Sequence, residues 1–249
     1  MKIKKNKISL GSWITLPSND VVEIMCKAGF DWLAVDMEHS AISESQAQDL
    51  LRIINLSGLM PYVRVPDNSR SIIKKVLDMG ASGIIVPNVN SIDDVNQAYD
   101  SINYPPLGKR GVGLARAQGY GNNFKEYLEW QKNNIKLVIQ IEDIKAIPNL
   151  DEIFATKKID SFFIGPYDLS GSLGIPGDFE NPLFKKTVNK ILSKADKYKI
   201  KKGIHVIEPN IKELNKVINK GFSFIAYSLD VRILDVKARE INSLKKNYN

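Results

Sequence analysis

Residues 60–87 read MPYVRVPDNSRSIIKKVLDMGASGIIVP and contain one complete structural repeat. MPYVRV (60–65) and GIIVP (83–87) are short apolar runs of the kind that form strands buried on both faces of a parallel sheet. Between them, SRSIIKKVLDMG (69–80) has a helical pattern that begins at a serine cap candidate and ends at Gly80. The stretch therefore predicts a strand, a helix and a second strand parallel to the first.

The same alternation continues along the whole chain. Eight apolar runs alternate with eight helix-like segments in 249 residues, which predicts an α/β fold: a single-domain (β/α)8 TIM barrel spanning residues 1–249. A doubly wound open sheet is the alternative, but no GxGxxG motif follows the first strand, as a dinucleotide fold would require. The other six predicted strands are ISLGSWI (8–14), DWLAVD (31–36), KLVIQIE (136–142), SFFIGP (161–166), KGIHVI (202–207) and FSFIAYS (222–228).

The composition, with 43% hydrophobic and 25% charged residues, is that of an ordinary globular protein. A single cysteine, Cys26, excludes an internal disulfide framework and fits a reducing compartment. The N-terminal MKIKKNKISLGSW lacks the apolar core of a signal peptide, and no apolar stretch approaches the ~18 residues of a membrane span. We therefore expect a cytoplasmic protein without a membrane partner.

The formal net charge of +7 raises the question of a nucleic-acid partner. The lysines are scattered among acidic residues, with small clusters at 2–7 and 194–202, and no aromatic residues alternate with them as a stacking platform would need. A lysine-rich solvated surface is the preferred interpretation, and no nucleic acid is expected. The positive field could still attract an anionic substrate.

A glycine-rich insertion, YPPLGKRGVGLARAQGYGNN (104–123), separates strands four and five. Taken alone, it reads as a long flexible surface loop. In a barrel, a loop that follows strand four lies on the active-site face, where a mobile basic segment could close over an anionic ligand. Both interpretations stay open at the level of sequence.

Polar side chains cluster at the predicted C-terminal ends of several strands, where barrel enzymes hold their active sites. Each one alone has an ordinary explanation, such as a helix cap, a turn or a surface ion pair. Burying several unpaired charges at successive strand ends is costly, however, so a shared site is preferred. The candidates are Asp36, Glu38 and His39 after strand two, Arg64 after strand three, Gln140 and Glu142 after strand five, and Asp168 after strand six.

These residue types favour one chemistry. Glu142 and Asp168 offer hard oxygen ligands, and no cysteine or histidine pair has zinc-site spacing, so Mg²⁺, Mn²⁺ or Co²⁺ is the expected divalent metal. Such a metal would chelate a 2-keto acid and stabilise its enolate, with Arg64 sharing the negative charge and His39 moving the proton. A Schiff-base mechanism is disfavoured because the lysines of strand seven lie at its start, the wrong end of the barrel.

The order of motifs from residue 9 to 235 resembles the HpcH/HpaI-type aldolases. These are class II pyruvate aldolases that include 2,4-dihydroxyhept-2-ene-1,7-dioate aldolase and 2-keto-3-deoxy sugar acid aldolases. The motif order is specific to the family though not to a substrate. The motifs that carry the resemblance are GSW, AGFDWLAVDMEHS, VRVP, KKVLDMGASGIIVP, YPPLGKRGVG, ARA, VIQIED and FIGPYDLSGSLG.

The resemblance implies roles for particular residues. It implies a divalent metal held by Glu142 and Asp168, and a general base at His39. It also implies a supporting acid at Asp78, whose role rests on the resemblance alone. Arg64 matches the arginine that steadies the pyruvate enolate. The other implied residues are Asp36 and Gln140 as neighbouring polar groups, Trp13 of the GSW motif at the substrate, and Gly165, Tyr167 and Asp168, whose backbone amides would hold the pyruvate carboxylate.

The resemblance further implies a homo-oligomer, a hexamer built as a trimer of dimers that exchange their last helix, here about residues 229–246. Two positions depart from the family pattern. Ser228 stands where relatives tend to carry glycine, and His205 stands where an apolar residue is more usual. Either residue could shape the aldehyde pocket or a subunit contact, and His205 is interpreted as a packing residue inside strand seven.

The predicted function is that of a metal-dependent aldolase that reversibly cleaves a 4-hydroxy-2-keto acid to pyruvate and an aldehyde. The alternatives within the same superfamily are an acyl-CoA lyase and a 2-keto acid decarboxylase acting on oxaloacetate. From another class, a non-catalytic basic binding protein on a barrel scaffold remains as the remote alternative.

Overall fold

Eight parallel strands close into a barrel in the computed structural model, which describes residues 8–242. Each strand pairs with the next one in chain order, and β8 pairs with β1 to close the ring. The predicted α/β class, the (β/α)8 barrel and each of its eight strands are confirmed. The strands are β1 Ser9–Ile14, β2 Trp32–Asp36, β3 Met60–Arg64, β4 Gly83–Val86, β5 Lys136–Ile141, β6 Ser161–Ile164, β7 Lys201–Val206 and β8 Phe224–Leu229.

Ten α-helices and two short 3₁₀ segments connect the strands within residues 8–242, whereas the sequence pattern predicted eight helices. The additional helices are α5, at the end of the glycine-rich insertion, and α7, directly after β6. The α-helices are α1 Asn19–Cys26, α2 Glu44–Leu56, α3 Arg70–Asp78, α4 Ile92–Ile102, α5 Phe124–Asn134, α6 Leu150–Ala155, α7 Pro166–Ser172, α8 Pro182–Tyr198, α9 Ile211–Asn219 and α10 Asp230–Arg239, and the 3₁₀ segments are Arg116–Gly121 and Ile144–Asn149.

Serine caps begin the first four helices. The hydroxyl oxygens of Ser18, Ser43, Ser69 and Ser91 each accept a hydrogen bond from a backbone amide in the first helical turn. The cap candidates in the sequence therefore mark true helix starts. Each of these caps lies in the loop between a strand and the next helix. It marks the boundary between the polar residues at the strand end and the helix.

Large aromatic side chains fill the interior of the barrel. Trp13, Trp32, Tyr62, Phe163 and Phe224 pack against one another with ring centroids 4.7–6.4 Å apart. Side chains alternate along each strand, so the intervening residues face outward into a second, larger core beneath the helices. Side chains therefore fill the interior of the barrel. A ligand can bind at the mouth of the barrel, which lies at the C-terminal ends of the strands.

Two glycines make room for these rings. A Cβ atom on Gly11 would lie 2.0 Å from the Trp32 ring, and one on Gly83 would lie 2.1 Å from the Tyr62 ring. Both distances are far below van der Waals contact. The glycines in GSW and in ASGIIVP are therefore required by the packing of the interior.

The glycine-rich insertion lies at the N-terminal end of the barrel, opposite the mouth. It follows α4, which returns the chain from the C-terminal end of β4 to the other end of the barrel. One interpretation of the sequence placed this segment on the active-site face, as a loop directly after strand four. Within one chain that interpretation is wrong, because α4 lies between β4 and the segment. Part of the segment is buried: it contains the 3₁₀ segment Arg116–Gly121, and Gln118 is fully buried, whereas Leu114 and Tyr120 are exposed.

A buried arginine fastens the insertion to the rest of the barrel. Arg110 Nη2 donates to Asp78 Oδ1 (2.7 Å), and its Nη1 donates to the Tyr127 hydroxyl (3.0 Å). The guanidinium also lies 4.6 Å from the ring centroid of Tyr104. Gln118 Nε2 completes the network by donating to the Tyr104 hydroxyl (2.8 Å) and to Asp78 Oδ1 (3.2 Å). This network joins the insertion to the end of α3.

The helix α10 is attached to the first strand by a buried carboxylate. Asp230 accepts hydrogen bonds from the Thr15 amide (3.0 Å) and hydroxyl (2.6 Å) and from the Leu16 amide (2.9 Å). Of the predicted last helix, about 229–246, residues 243–246 lie outside the described part of the chain. Among residues 8–242, no helix is long and apolar enough to cross a membrane.

We expect Arg110→Met to lower the free energy of unfolding by about 3 kcal/mol, because it leaves the Asp78 carboxylate without its buried cation. Urea denaturation would measure the change. Lys109→Met is the matched control, since the neighbouring Lys109 forms only a surface ion pair with Asp100. Equal midpoints for the two variants would contradict this account of the insertion.

Candidate active site

Asp36 and Arg64 form an ion pair at the mouth of the barrel. The register of β2 and β3 makes them direct neighbours. Arg64 Nε donates to Asp36 Oδ1 (2.9 Å) and Nη2 donates to Oδ2 (2.6 Å), a bidentate geometry that fixes the guanidinium. The Arg64 Cζ atom also lies 4.6 Å from the ring centroid of Trp13. The structure therefore brings together Asp36, Arg64 and Trp13, three of the predicted site residues.

The turn after β2 presents Glu38 and His39 beside this pair. Asp36 Oδ1 accepts from the backbone amides of both residues, at 3.1 and 3.2 Å, and so holds the turn in place. Glu38 Oε2 lies 3.3 Å from Arg64 Nε and 3.7 Å from His39 Nε2. The His39 side chain is 63% exposed. It can therefore exchange protons with solvent while remaining next to the mouth.

Glu142, directly after β5, is 4% exposed. Its Oε1 atom accepts from the backbone amide of Asn88 (2.7 Å), and its Oε2 atom accepts from Gln140 Nε2 (2.7 Å). Gly165 lies directly against it, since a Cβ there would come within 2.5 Å of Glu142 Oε2. The backbone at Asn88 was not foreseen. Its left-handed φ of 53° suits asparagine, and the Pro-Asn pair after β4 was the available signal.

Three carboxylates from different strand ends share one electrostatic environment. Burial raises the pKa of Glu142, and the carboxylates of Glu38 and Asp168 raise it further, against the two hydrogen bonds just described. Burial also raises the pKa of Glu38; Arg64 lowers it, whereas Asp36 and Asp168 raise it. Glu38, interpreted from sequence only as a supporting residue, is therefore an integral member of this acidic group. The group is poorly compensated when all three residues are ionised.

The oxygen atoms at this position suit a hard divalent cation. Glu38 Oε2 and Gln140 Oε1 are buried without a hydrogen-bond partner, so each would gain from a donor or a cation. Within residues 8–242, no group of three or more His, Cys, Asp or Glu residues is arranged to hold a metal ion alone. The oxygen atoms present fit a cation such as Mg²⁺, which would take part of its coordination shell from Glu142 and Asp168 and the rest from water and ligand.

Gly165, Tyr167 and Asp168 are positioned by α7. Gly165 is the N-cap of this helix, and Pro166 occupies its first position, where a missing N–H is tolerated. The amides of Tyr167 and Asp168 lie in the first turn, where N–H groups have no partner inside the helix. The Tyr167 ring packs edge-on against Phe179, with centroids 5.0 Å apart. What these residues offer a ligand is therefore backbone amides and one carboxylate.

Asp78 does not join the other predicted site residues within one chain. It is the last residue of α3, at the N-terminal end of the barrel, and it accepts from Arg110 and Gln118. His39 lies at the opposite end of the barrel. Within one chain, Asp78 is therefore a helix-end residue that anchors the glycine-rich insertion.

His205 lies inside the barrel, near the mouth. Its neighbours Ile204 and Val206 pack outward against α9, so the alternation of β7 turns His205 inward. Its ring centroid lies 5.9 Å from that of Trp13, and its Nε2 atom lies 3.2 Å from the Ser228 carbonyl oxygen. His205 is thus adjacent to the predicted site residues.

Two known aldolases are similar in sequence over nearly the whole of this chain. The hydroxypyruvate/pyruvate aldolase of Paraburkholderia phytofirmans is 35% identical over 237 residues, which cover 92% of this chain and 90% of that protein. The 2-dehydro-3,6-dideoxy-6-sulfogluconate aldolase of Pseudomonas putida is 31% identical, covering 96% of this chain and 93% of that protein.

Solved structures show the same fold. An HpcH/HpaI aldolase/citrate lyase family protein from Burkholderia cenocepacia has a TM-score of 0.89 at 28% identity, covering 98% of this chain and 95% of that one. A citrate lyase beta subunit from M. tuberculosis, solved with oxaloacetate and magnesium, is similar in fold alone, with a TM-score of 0.59 at 12% identity and coverage of 92% and 95%.

The sequence model of one family matches residues 9–235, which include every strand of the barrel and every residue of the mouth described above. The chain therefore belongs to the HpcH/HpaI aldolase/citrate lyase family.

Proposed function

We propose that this protein is a divalent-metal-dependent aldolase that reversibly cleaves a 4-hydroxy-2-keto acid to pyruvate and an aldehyde. The observation that carries the proposal is the pairing of an acidic group with a fixed cation at one mouth. Glu38, Glu142 and Asp168 form the acidic group, and Arg64 is held beside it by Asp36. Family relatives named as aldolases, 35% and 31% identical, support the reaction class.

The keto acid is bound by groups of the chain on two sides. Arg64 is held at the mouth because its Nε–Nη2 edge is engaged by Asp36 and its face lies over Trp13. It shares the negative charge that develops on the keto oxygen. The amides of Tyr167 and Asp168 bind the carboxylate. When bound at Glu142 and Asp168, a divalent cation supplies the Lewis acidity that stabilises the enolate.

His39 is the proposed proton carrier. In the cleavage direction, a base activated by His39 takes the proton of the C4 hydroxyl. The C3–C4 bond then breaks, its electron pair forms the enolate of the keto acid, and the aldehyde leaves. A proton then returns to C3, and pyruvate is formed. The exposure of the His39 ring lets it exchange protons with water between turnovers, and Glu38 Oε2 lies 3.7 Å from His39 Nε2.

The enolate is shared with a second candidate reaction, the decarboxylation of oxaloacetate. We retain this alternative because a citrate lyase beta subunit of similar fold was solved with oxaloacetate. Consumption of pyruvate that depends on an added aldehyde separates the two, because only the aldolase forms a carbon–carbon bond with it. The single cysteine accords with the proposed cytoplasmic location.

A role for Asp78 at the proton carrier requires a second copy of the chain, because Asp78 and His39 lie at opposite ends of one barrel. The proposed assembly, a hexamer built as a trimer of dimers, would provide such a copy. In that arrangement the N-terminal end of one barrel, with Asp78 and Arg110, would face the mouth of another.

Pyruvate consumption is expected to need both an aldehyde and Mg²⁺ or Mn²⁺, and to cease after EDTA treatment. Glu142→Gln should lower kcat/KM by about 10²–10³-fold, because it removes a charged oxygen ligand from the acidic group. A pyruvate assay with a fixed aldehyde measures both effects. Glu129→Gln, at an exposed position on α5, is the control and should leave the rate unchanged. Full activity after complete metal removal would refute the metal-dependent reaction.

The raised pKa of Glu142 predicts a pH effect on the metal-free protein. Its pKa is above the ordinary value of 4.5 in the folded state, so the folded protein holds the proton more tightly than the unfolded chain does. Lowering the pH from about 7 to about 5 should therefore stabilise the wild type relative to Glu142→Gln, which has no charge to lose. Thermal unfolding in EDTA at several pH values measures the difference in Tm. A difference that stays constant with pH would contradict the assignment.

Mixing two inactive variants tests the intersubunit role of Asp78. His39→Ala and Asp78→Asn should each be nearly inactive, the second with its fold intact because asparagine can still accept from Arg110. Mixed oligomers assembled from equal amounts should regain roughly a quarter of wild-type activity, since each site draws two residues at random from two subunits. Mixed oligomers with no regained activity would confine Asp78 to its structural contact with Arg110.

A further inference from the structure

The mouth of the barrel contains a histidine that the proposed mechanism does not use. His205 projects inward from β7 and shares the ring of Trp13 with Arg64, which lies on the same indole at 4.6 Å. Arg64 and Asp36 are the charged groups close enough to influence it electrostatically. His205 therefore lies at the level of the residues proposed to hold the keto acid, deeper than the exposed His39.

The hydrogen bonding of His205 fixes which of its ring nitrogens is free. Burial lowers its pKa to about 4, with a smaller opposing effect from the Ser228 carbonyl, so the ring is neutral at physiological pH. A carbonyl oxygen can only accept, so Nε2 carries the proton and donates to Ser228. The other nitrogen, Nδ1, is then an unprotonated acceptor, and no hydrogen bond to it is formed by residues 8–242.

The local backbone holds this tautomer in place. Ser228 has a left-handed φ of 55°, and its hydroxyl donates to the Ile207 carbonyl oxygen (2.9 Å), across the gap between β8 and β7. The Ser12 hydroxyl also approaches the Ser228 carbonyl oxygen, at 3.3 Å. The shorter hydrogen bond of the Ser12 hydroxyl is to the Tyr227 carbonyl oxygen (2.8 Å), so the chain on both sides of the Ser228 carbonyl is tied to neighbouring segments. The contact of Nε2 with this carbonyl holds the His205 ring and leaves Nδ1 as its free acceptor.

We propose that His205 is a specificity-determining residue, whose Nδ1 atom accepts a hydrogen bond from a hydroxyl group on the keto acid and so favours hydroxypyruvate over pyruvate as the nucleophile. The inference rests on the proposed aldolase function. The two keto acids differ by one hydroxyl, and the relative from Paraburkholderia phytofirmans is named for both of them. The keto acid is the better partner than the aldehyde, because His205 lies with Arg64 on Trp13 and the aldehyde must enter on the solvent side.

An apolar residue at this position would have no means of recognising the hydroxyl. It could separate the two keto acids only by size, whereas the Nδ1 acceptor adds the free energy of one hydrogen bond to the binding of the hydroxyl. The preference should therefore depend on the acceptor atom rather than on the volume of the side chain.

Leucine and asparagine have nearly the same shape and differ in the acceptor, so His205→Leu and His205→Asn form a matched pair. The measurement is kcat/KM for hydroxypyruvate and for pyruvate with one fixed aldehyde and Mg²⁺. His205→Leu should lower the ratio of the two values by about tenfold, the worth of one neutral hydrogen bond, while pyruvate is still turned over. His205→Asn should keep most of the ratio, because asparagine Oδ1 can take the place of Nδ1.

A ratio that is the same in the wild type and in His205→Leu would overturn the inference, as would equal losses in the leucine and asparagine variants. Tm measurements on both variants separate misfolding from altered recognition. If neither keto acid reacts with any aldehyde, the aldolase proposal fails independently. Calorimetric binding of hydroxypyruvate and pyruvate, with Mg²⁺ and without aldehyde, then decides the contact itself. Unchanged relative affinities in His205→Leu would again overturn it.

Discussion

The packing of five aromatic rings inside the barrel is the constraint on which the remaining structure depends. These rings exclude a side chain at Gly11 and Gly83, and they fill the centre of the barrel within residues 8–242. A ligand can therefore bind only on the side of these aromatic rings that faces the mouth. Trp13 belongs to both regions, since it packs on Phe163 below and carries the Arg64 guanidinium above. The position of the arginine thus follows directly from the packing of the core.

The mouth of the barrel is acidic, although the chain as a whole has a positive net charge. The chain has a net charge of +7, yet its mouth gathers Asp36, Glu38, Glu142 and Asp168 around Arg64. Arg64 pairs with Asp36 and also lies 3.3 Å from Glu38 Oε2, so one guanidinium faces four carboxylates, which are left in excess. Such an arrangement costs stability, and the proposed divalent cation would relieve it. The positive net charge of the chain acts at longer range and attracts anions to the protein.

The barrel could be predicted from sequence because strands buried on both faces leave a strong apolar signal, as in GIIVP and KLVIQI. The apolar runs also show where each strand ends, so polar residues at those ends, such as Asp36, Arg64 and Glu142, could be assigned to the mouth. The placement of the insertion was missed because α4 returns the chain to the opposite end before residue 104. Asn88 was missed because a backbone donor depends on conformation rather than on residue type. Short α7 lacked the length needed for a detectable period.

The clamp of Asp230 on Thr15 and Leu16 has a consequence for how the chain is made. Because β1 pairs with β8, the ring has a seam between the first and the last strand, and the clamp lies beside that seam. During synthesis the open edges of β1 and β7 stay without partners until β8 leaves the ribosome. Because β8 is the last strand of the chain, the ring cannot close, and the clamp of Asp230 cannot form, before almost the whole barrel has been synthesised.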